Sequence, residues 1–137
     1  MDKQKYLLDT NTCVSFLRNK HGVKEHIKTV GYHNCGISEI TIAELLYGAE
    51  CSSSPALNIL LIEEFVKTIE VYPIKDTLQV YAQEKYKLRK KGLIIEDFDL
   101  LIGCTAISNS LILVTDNIKH MNRLSVKIEN WIERDKG

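Results

Sequence analysis

Residues 6–11 read YLLDTN, an apolar run of strand length closed by an acid and followed by two polar residues able to open a helix. A strand that hands over to a helix at an acidic residue fits an alternating α/β chain, in which ligands bind just beyond the carboxyl ends of parallel strands. The same pattern recurs at residues 111–116, LILVTD, where Asp116 closes a second apolar run. Two further acids sit against apolar runs: Glu44 inside ITIAELLYG and Asp99 opening DLLIGCTA. Carboxylates gathered in one crevice repel each other unless a hard divalent cation neutralises them, and all-oxygen ligation suits Mg2+ or Mn2+. Asp9, Glu44, Asp99 and Asp116 together therefore suggest metal-dependent phosphate chemistry.

Working outward from YLLD, TNTCVSFLRN predicts a short helix with Thr10 or Asn11 as its N-cap. GVKEHIKTVG predicts a second helix stopped by Gly31, CGIS a short strand, and TIAELLYGA a third helix. SSSP breaks the chain, with Ser54 as N-cap and Pro55 at the first helical position. Leu57, Leu60, Leu61 and Phe65 then recur at helical spacing, which predicts a helical hairpin over residues 41–67. IEVYPI is a strand closed by Pro73. From Lys75 a long helix carries Leu78, Tyr81, Ala82 and Leu88 up to Gly92. LIIEDF reads as an extended link, DLLIGCTAISN as a helix, LILVTD as a buried strand and VKIENW as a terminal strand. Strands alternating with helices predict an α/β fold: a mostly parallel sheet flanked by helices on both faces, with right-handed crossovers. No domain boundary is visible, so residues 1–137 are expected to form one domain.

Composition narrows the function classes. Hydrophobic content of 45% with seven Gly and two Pro fits a globular domain rather than a disordered or fibrous chain. The start, MDKQKYLLDTN, has too short an apolar stretch for a signal peptide or a membrane span, which points to the cytoplasm. Cys13, Cys35, Cys51 and Cys104 lack metal-ligand spacing and read as reduced, mostly buried thiols. Eighteen basic against eighteen acidic residues leave zero formal charge, so any nucleic-acid binding must use a local patch. The basic run in EKYKLRKKG, with Lys85, Lys87, Arg89, Lys90 and Lys91, is the candidate RNA-binding patch. It reads equally as cations placed at a helix C-terminus by the dipole. GxSxG, Gly-rich phosphate loops and DxD are absent, and the four His show no catalytic pairing.

Each acid also has a plain structural reading. Asp9 can cap a helix, although Thr10 and Asn11 compete for that role and would leave Asp9 free to face the crevice. Glu44 points away from the centre of the face made by Ile42, Leu45, Leu46 and Ala49, as a solvated Glu would. Asp99 sits in a first helical turn, where the dipole favours a carboxylate, and Asp97 could be the N-cap there. Asp116 with Asn117 could simply open a turn.

Taken together, YLLDTN, SEITIAELLYG, IEDFDLLIGCTA, LILVTDNIKHM and IENW resemble a PIN domain, and more narrowly the VapC-like toxins of bacterial type II toxin–antitoxin modules. The resemblance spans nearly the whole chain. It implies a three-layer α/β sandwich, Mg2+- or Mn2+-dependent endoribonuclease activity that inhibits translation, a homodimer, and a cognate antitoxin that blocks the site. Structured RNA such as tRNA is the substrate class it implies. The family's acids fall on Asp9, Glu44 and Asp99, with Asp97 as a neighbour. The fourth falls on Asp116 or on Asn117, because many members carry that acid one residue later. Thr115 would sit beside the cluster as the family's hydroxyl residue, and Asn11 is a further supporting position. Two other readings stand beside this one: an RNA-processing nuclease of the same fold without an antitoxin, and a non-catalytic binding module whose acids are caps and turns.

Overall fold

The computed structural model describes residues 4–134. Five strands form one sheet: β1 (Tyr6–Leu8), β2 (Cys35–Ser38), β3 (Glu70–Tyr72), β4 (Ile112–Val114) and β5 (Ile128–Glu129). Their order across the sheet is β3-β2-β1-β4-β5, and every pairing is parallel, with Leu7 set between Gly36 and Leu113. The connections are helical: α1 (Thr10–Leu17), α2 (Val23–Val30), α3 (Glu39–Glu50), α4 (Pro55–Thr68), α5 (Leu78–Lys90), α6 (Asp97–Ser108) and the single turn α7 (Ile118–Met121). The alternation expected from sequence is present, with α7 as an addition inside what reads as a turn.

Strand periodicity sends neighbouring residues to opposite faces, and each face of β1 buries one leucine. Leu8, Ile37 and Val114 pack with Cys13 of α1, Val23 and Ile27 of α2, Leu45 of α3, and Ile62 and Phe65 of α4. Leu7 and Leu113 pack on the other side with Leu88 of α5, Leu100 and Ile102 of α6, and Met121 of α7. Three layers result. Cys13, Cys35 and Cys104 are buried free thiols within them, and burial pushes Cys35 and Cys104 up to about 12. No described helix is long and apolar enough to cross a membrane.

Gly36 shows how closely the sheet is packed. A Cβ there would lie 2.4 Å from the Tyr72 ring and 3.0 Å from the Glu70 carbonyl oxygen on the adjacent strand. Because one of these neighbours is backbone, it cannot swing aside. Gly36→Ala should cost roughly 1–3 kcal/mol, the usual range for overpacking, read as a lowered urea midpoint with an unchanged slope. An unaltered midpoint would show that β3 can shift freely.

The strand order decides where a site can form. Successive connections leave β1 toward β2 and β3 on one side and toward β4 and β5 on the other. The gap beyond the carboxyl ends of β1 and β4 is therefore the topological switch point, where open parallel sheets bind ligands. Asp9 follows β1 directly, and Thr115 and Asp116 follow β4.

Candidate active site

Asp9 is itself the N-cap of α1, contrary to the expectation that Thr10 or Asn11 would cap it. Its backbone N–H still belongs to the sheet, donating to the Val114 carbonyl at 3.0 Å, which holds Asp9 extended and lets the helix begin at Thr10. One carboxylate oxygen, Oδ1, accepts from the Thr12 N–H at 2.9 Å. Capping does not exclude Asp9 from the crevice, because a carboxylate has a second oxygen. Protein surrounds the group closely, and burial pushes its carboxyl above the ordinary range. Hydrogen bonds from Thr115 and Thr12 oppose that rise, while the charge on Asp116 adds to it.

Thr10, relieved of capping, turns its hydroxyl across the crevice to α3. Its Oγ1 donates to Glu44 Oε1 at 2.5 Å, with the Thr41 hydroxyl 3.2 Å away. Glu44 stands off the centre of its helix's apolar face, as the wheel predicts, yet it is half-buried and held in place. Asn11 is exposed on the outer side of α1.

Asp99 occupies the third position of α6. Glu96 holds the N-cap position there without a side-chain bond, so Asp97 is the first helical residue and not the cap. Asp97 turns outward to Lys85 at 2.8 Å and to the Tyr81 hydroxyl at 2.8 Å. Burial raises the Asp99 carboxyl most, followed by the charges of Glu44, Glu96 and Asp9, with His120 opposing them. Asp9, Glu44 and Asp99 are thus electrostatic neighbours although they come from β1, α3 and α6.

Thr115 is buried after β4; its hydroxyl serves Asp9 and accepts the Asn117 N–H at 3.0 Å. Asn117 Oδ1 faces His120 Nδ1 at 2.9 Å, whereas the Asp116 charge is felt by Asp9. Asp116 thus acts electrostatically on Asp9, the acid at the end of β1. Its partner is Arg134, whose Nη2 donates to Asp116 Oδ2. Thr10, Glu96, His120 and Arg134 were missed by sequence reasoning. Only YLLDTN contained a usable hint, since a hydroxyl next to a strand-end acid is free to reach another element.

The basic run on α5 is partly neutralised. Lys85 pairs with Asp97, Lys87 with Glu84 at 3.1 Å, and the Lys90 ammonium lies over the Tyr86 ring. Arg89 and Lys91 are exposed.

The donor set at the switch point is all oxygen and strongly negative. Among the described residues no three His, Cys, Asp or Glu side chains converge closely enough to form a ready metal cage. An all-oxygen carboxylate donor set fits a hard divalent cation, which binds through one or two carboxylates and keeps several waters. Burial first, and the neighbouring acids second, raise the carboxyls of Asp9 and Asp99, and a bound cation would oppose both.

An acidic crevice at the switch point of a parallel, helix-covered sheet defines the class of protein, and known proteins narrow it. Residues 6–127 match the PIN domain family. The chain is 34% identical over 132 residues to a tRNA(fMet)-specific endonuclease VapC of Salmonella typhimurium, covering 93% of this chain and 98% of that protein. It is 36% identical to Ribonuclease VapC2 of Rickettsia felis, covering 92% and 97%. Among solved structures, the VapBC2 complex of Rickettsia felis bound to a promoter DNA fragment superposes with a TM-score of 0.85 at 32% identity, over 93% of this chain and 99% of that one. The chain belongs to the PIN domain family and, within it, to the VapC ribonucleases.

Proposed function

We propose that the chain is the toxin of a type II toxin–antitoxin pair, a Mg2+- or Mn2+-dependent endoribonuclease that acts through Asp9, Glu44, Asp99 and Asp116. The observation that carries this reading is that acids from four separate elements act on one another's charge at one sheet end: Asp116 on Asp9, and Glu44 and Asp9 on Asp99. A bound divalent ion would lower the pKa of the attacking water and stabilise charge building on the phosphate. The chain's own residues prepare for that. The cap bond from Thr12 holds the Asp9 carboxylate, Thr10 fixes Glu44, and Thr115 links Asp9 to the loop after β4. With metal-activated water rather than a ribose hydroxyl as the attacking group, the products would carry 5′-phosphates and 3′-hydroxyls.

The Salmonella relative's name specifies tRNA(fMet), and that likeness makes a structured tRNA the substrate class here. Such a target is read by shape and exposed loops. Its cleavage would inhibit translation in the cytoplasm, with the protein acting as a homodimer built from one PIN unit per chain. Incubating purified protein with total RNA under Mg2+, Mn2+ or EDTA tests the reading. Discrete EDTA-sensitive cuts with 5′-phosphate ends are expected, and indifference to metal would count against it.

The solved VapBC complexes support an antitoxin partner, and the apolar surface beside α4 supports a binding place. Leu57, Leu60 and Leu61 are more than half exposed, while Ile62 and Phe65 face the core. Leu61 lines a groove of about 260 Å³ together with Val14, Leu17, Leu45 and Ile62, and Leu57 and Leu60 add exposed apolar surface on the same helix, which fits the apolar face of a partner helix. Replacing Leu57 and Leu61 together by Asp should weaken antitoxin binding about a hundredfold or more, as loss of central apolar anchors does, and leave RNA cleavage intact. Unchanged co-elution on gel filtration would remove this groove from the interface.

A further inference from the structure

The residues after β5 return to the carboxylate crevice along a well-anchored path. Trp131 is buried, its ring 5.0 Å from Tyr6 and stacked on His26 at 5.3 Å. The Glu133 N–H donates to the His21 carbonyl at 2.8 Å, and His21 Nδ1 faces the Glu133 carbonyl at 3.2 Å. The α1–α2 loop that receives this segment has left-handed backbone at Asn19 (φ 52°), His21 (φ 61°) and Gly22 (φ 72°). Gly22 suits this left-handed backbone, which an L side chain adopts only under strain, and the Glu133 carboxylate lies beside it. Positive φ at two non-glycine residues is uncommon and marks a loop whose shape the surroundings enforce.

This docking leaves an open cleft of about 500 Å³ lined by Lys20, His21, Gly22, Glu133 and Arg134. It also delivers Arg134 to Asp116 at the edge of the acidic site. The Arg134 side chain is 66% exposed, and among the described residues Asp116 is its one ion-pair partner. A guanidinium has five N–H donors in a fixed fork, so one bond to Asp116 orients the group and leaves other donors for a ligand. Among the described residues Lys20 makes no ion pair, unlike Lys85 and Lys87 on α5. In a chain of zero net charge, Arg134 makes this cleft a cationic surface that adjoins Asp116.

We propose that the cleft between the α1–α2 loop and the C-terminal segment is an RNA-backbone subsite, in which Arg134 and Lys20 hold a phosphate flanking the one that is cut. The proposal rests on the endoribonuclease reading. Asp116 has a second role in it, as the anchor that aims Arg134; Glu133, the one acid lining the cleft, lies against Gly22. Arg134 is a positioning residue for substrate.

Binding of the full chain to tRNA, followed by fluorescence anisotropy in EDTA across a KCl series, separates this role from catalysis. Arg134→Gln and Lys20→Gln should each weaken binding about fivefold and reduce the slope of log K against log salt by about one, as loss of a phosphate contact does. Arg134→Lys should restore the slope. With metal, Arg134→Gln should raise KM and keep kcat. If the native chain binds and cuts RNA while both Gln variants keep the native salt slope, this proposal is overturned and the nuclease reading stands. The same follows if Arg134→Gln lowers kcat at constant KM, which would reduce Arg134 to a support for Asp116. A native chain that neither binds nor cuts RNA would overturn both.

Discussion

Asp9→Asn should lower RNA cleavage by about a thousandfold or more, the scale at which loss of a central electrostatic group acts, while the fold persists. Asn is as good an N-cap as Asp, so its side-chain oxygen can still accept from the Thr12 N–H. What disappears is a negative charge at the centre of the cluster. The same substitution should stabilise the metal-free protein at neutral pH. Burial raises the Asp9 carboxyl above the ordinary range, so the folded state holds its proton more tightly than the unfolded state. Stability tied to this group is greatest below the unfolded carboxyl pKa and falls as pH rises through the raised folded value. Asp99 adds to the trend in the same direction.

In EDTA, the melting temperature of the native chain should therefore drop relative to Asp9→Asn between about pH 4 and neutrality, spanning the range above an ordinary carboxyl pKa. Divalent metal should reverse the ranking. An ion that binds only the folded state at a hundred times its Kd adds about 2.7 kcal/mol, a gain expected for the native chain and largely lost in the variant. Native-rate cleavage by Asp9→Asn, or equal metal stabilisation of both proteins, would remove Asp9 from the site.

Trp131→Ala is expected to destabilise the fold by about 3–5 kcal/mol, the range for emptying a large buried aromatic site. Trp131 is 2% exposed, packs on Tyr6 and His26, and donates Nε1–H to Glu129 Oε1 at 2.9 Å. In a chain of this length the loss should lower the melting temperature by roughly 10–20 °C. The effect reaches the crevice as well, because Trp131 anchors the segment that brings Arg134 to Asp116. Trp131→Phe keeps a ring in the site and should recover most of the stability while giving up the indole bond. A melting temperature unchanged in Trp131→Ala would mean that the C-terminal segment packs against the core without supporting it.

Much of the architecture was legible because its signals are local. Apolar runs such as YLL and ILV announce strands, SSSP and Gly92 punctuate helices, and Leu57 to Phe65 carry a 3.6-residue rhythm. The errors were also local. Capping of α1 was assigned to Thr10 or Asn11 by side-chain preference, but the Asp9–Val114 sheet bond set where the helix begins. Asp97 was considered as a cap, yet the chain turns one residue earlier and leaves Asp97 to Lys85. The basic run read as one patch, whereas neighbours on α5 and α6 neutralise part of it. The four acids stand out in the sequence because each sits against an apolar run, a mark that needs no knowledge of their partners.

The order of strands and helices, the two apolar faces of β1 and the positions of the acids follow from the sequence alone, since each depends on residues a few places apart. The tertiary structure alone decided that β1 and β4 adjoin, that Thr10 reaches Glu44 across 34 positions, and that Arg134 returns to Asp116. Periodicity records what a segment must bury, but it carries no information about which distant segment will meet it. That choice is made by packing the two apolar faces of the sheet at once, and the crevice exists only where that packing places the ends of β1 and β4 side by side.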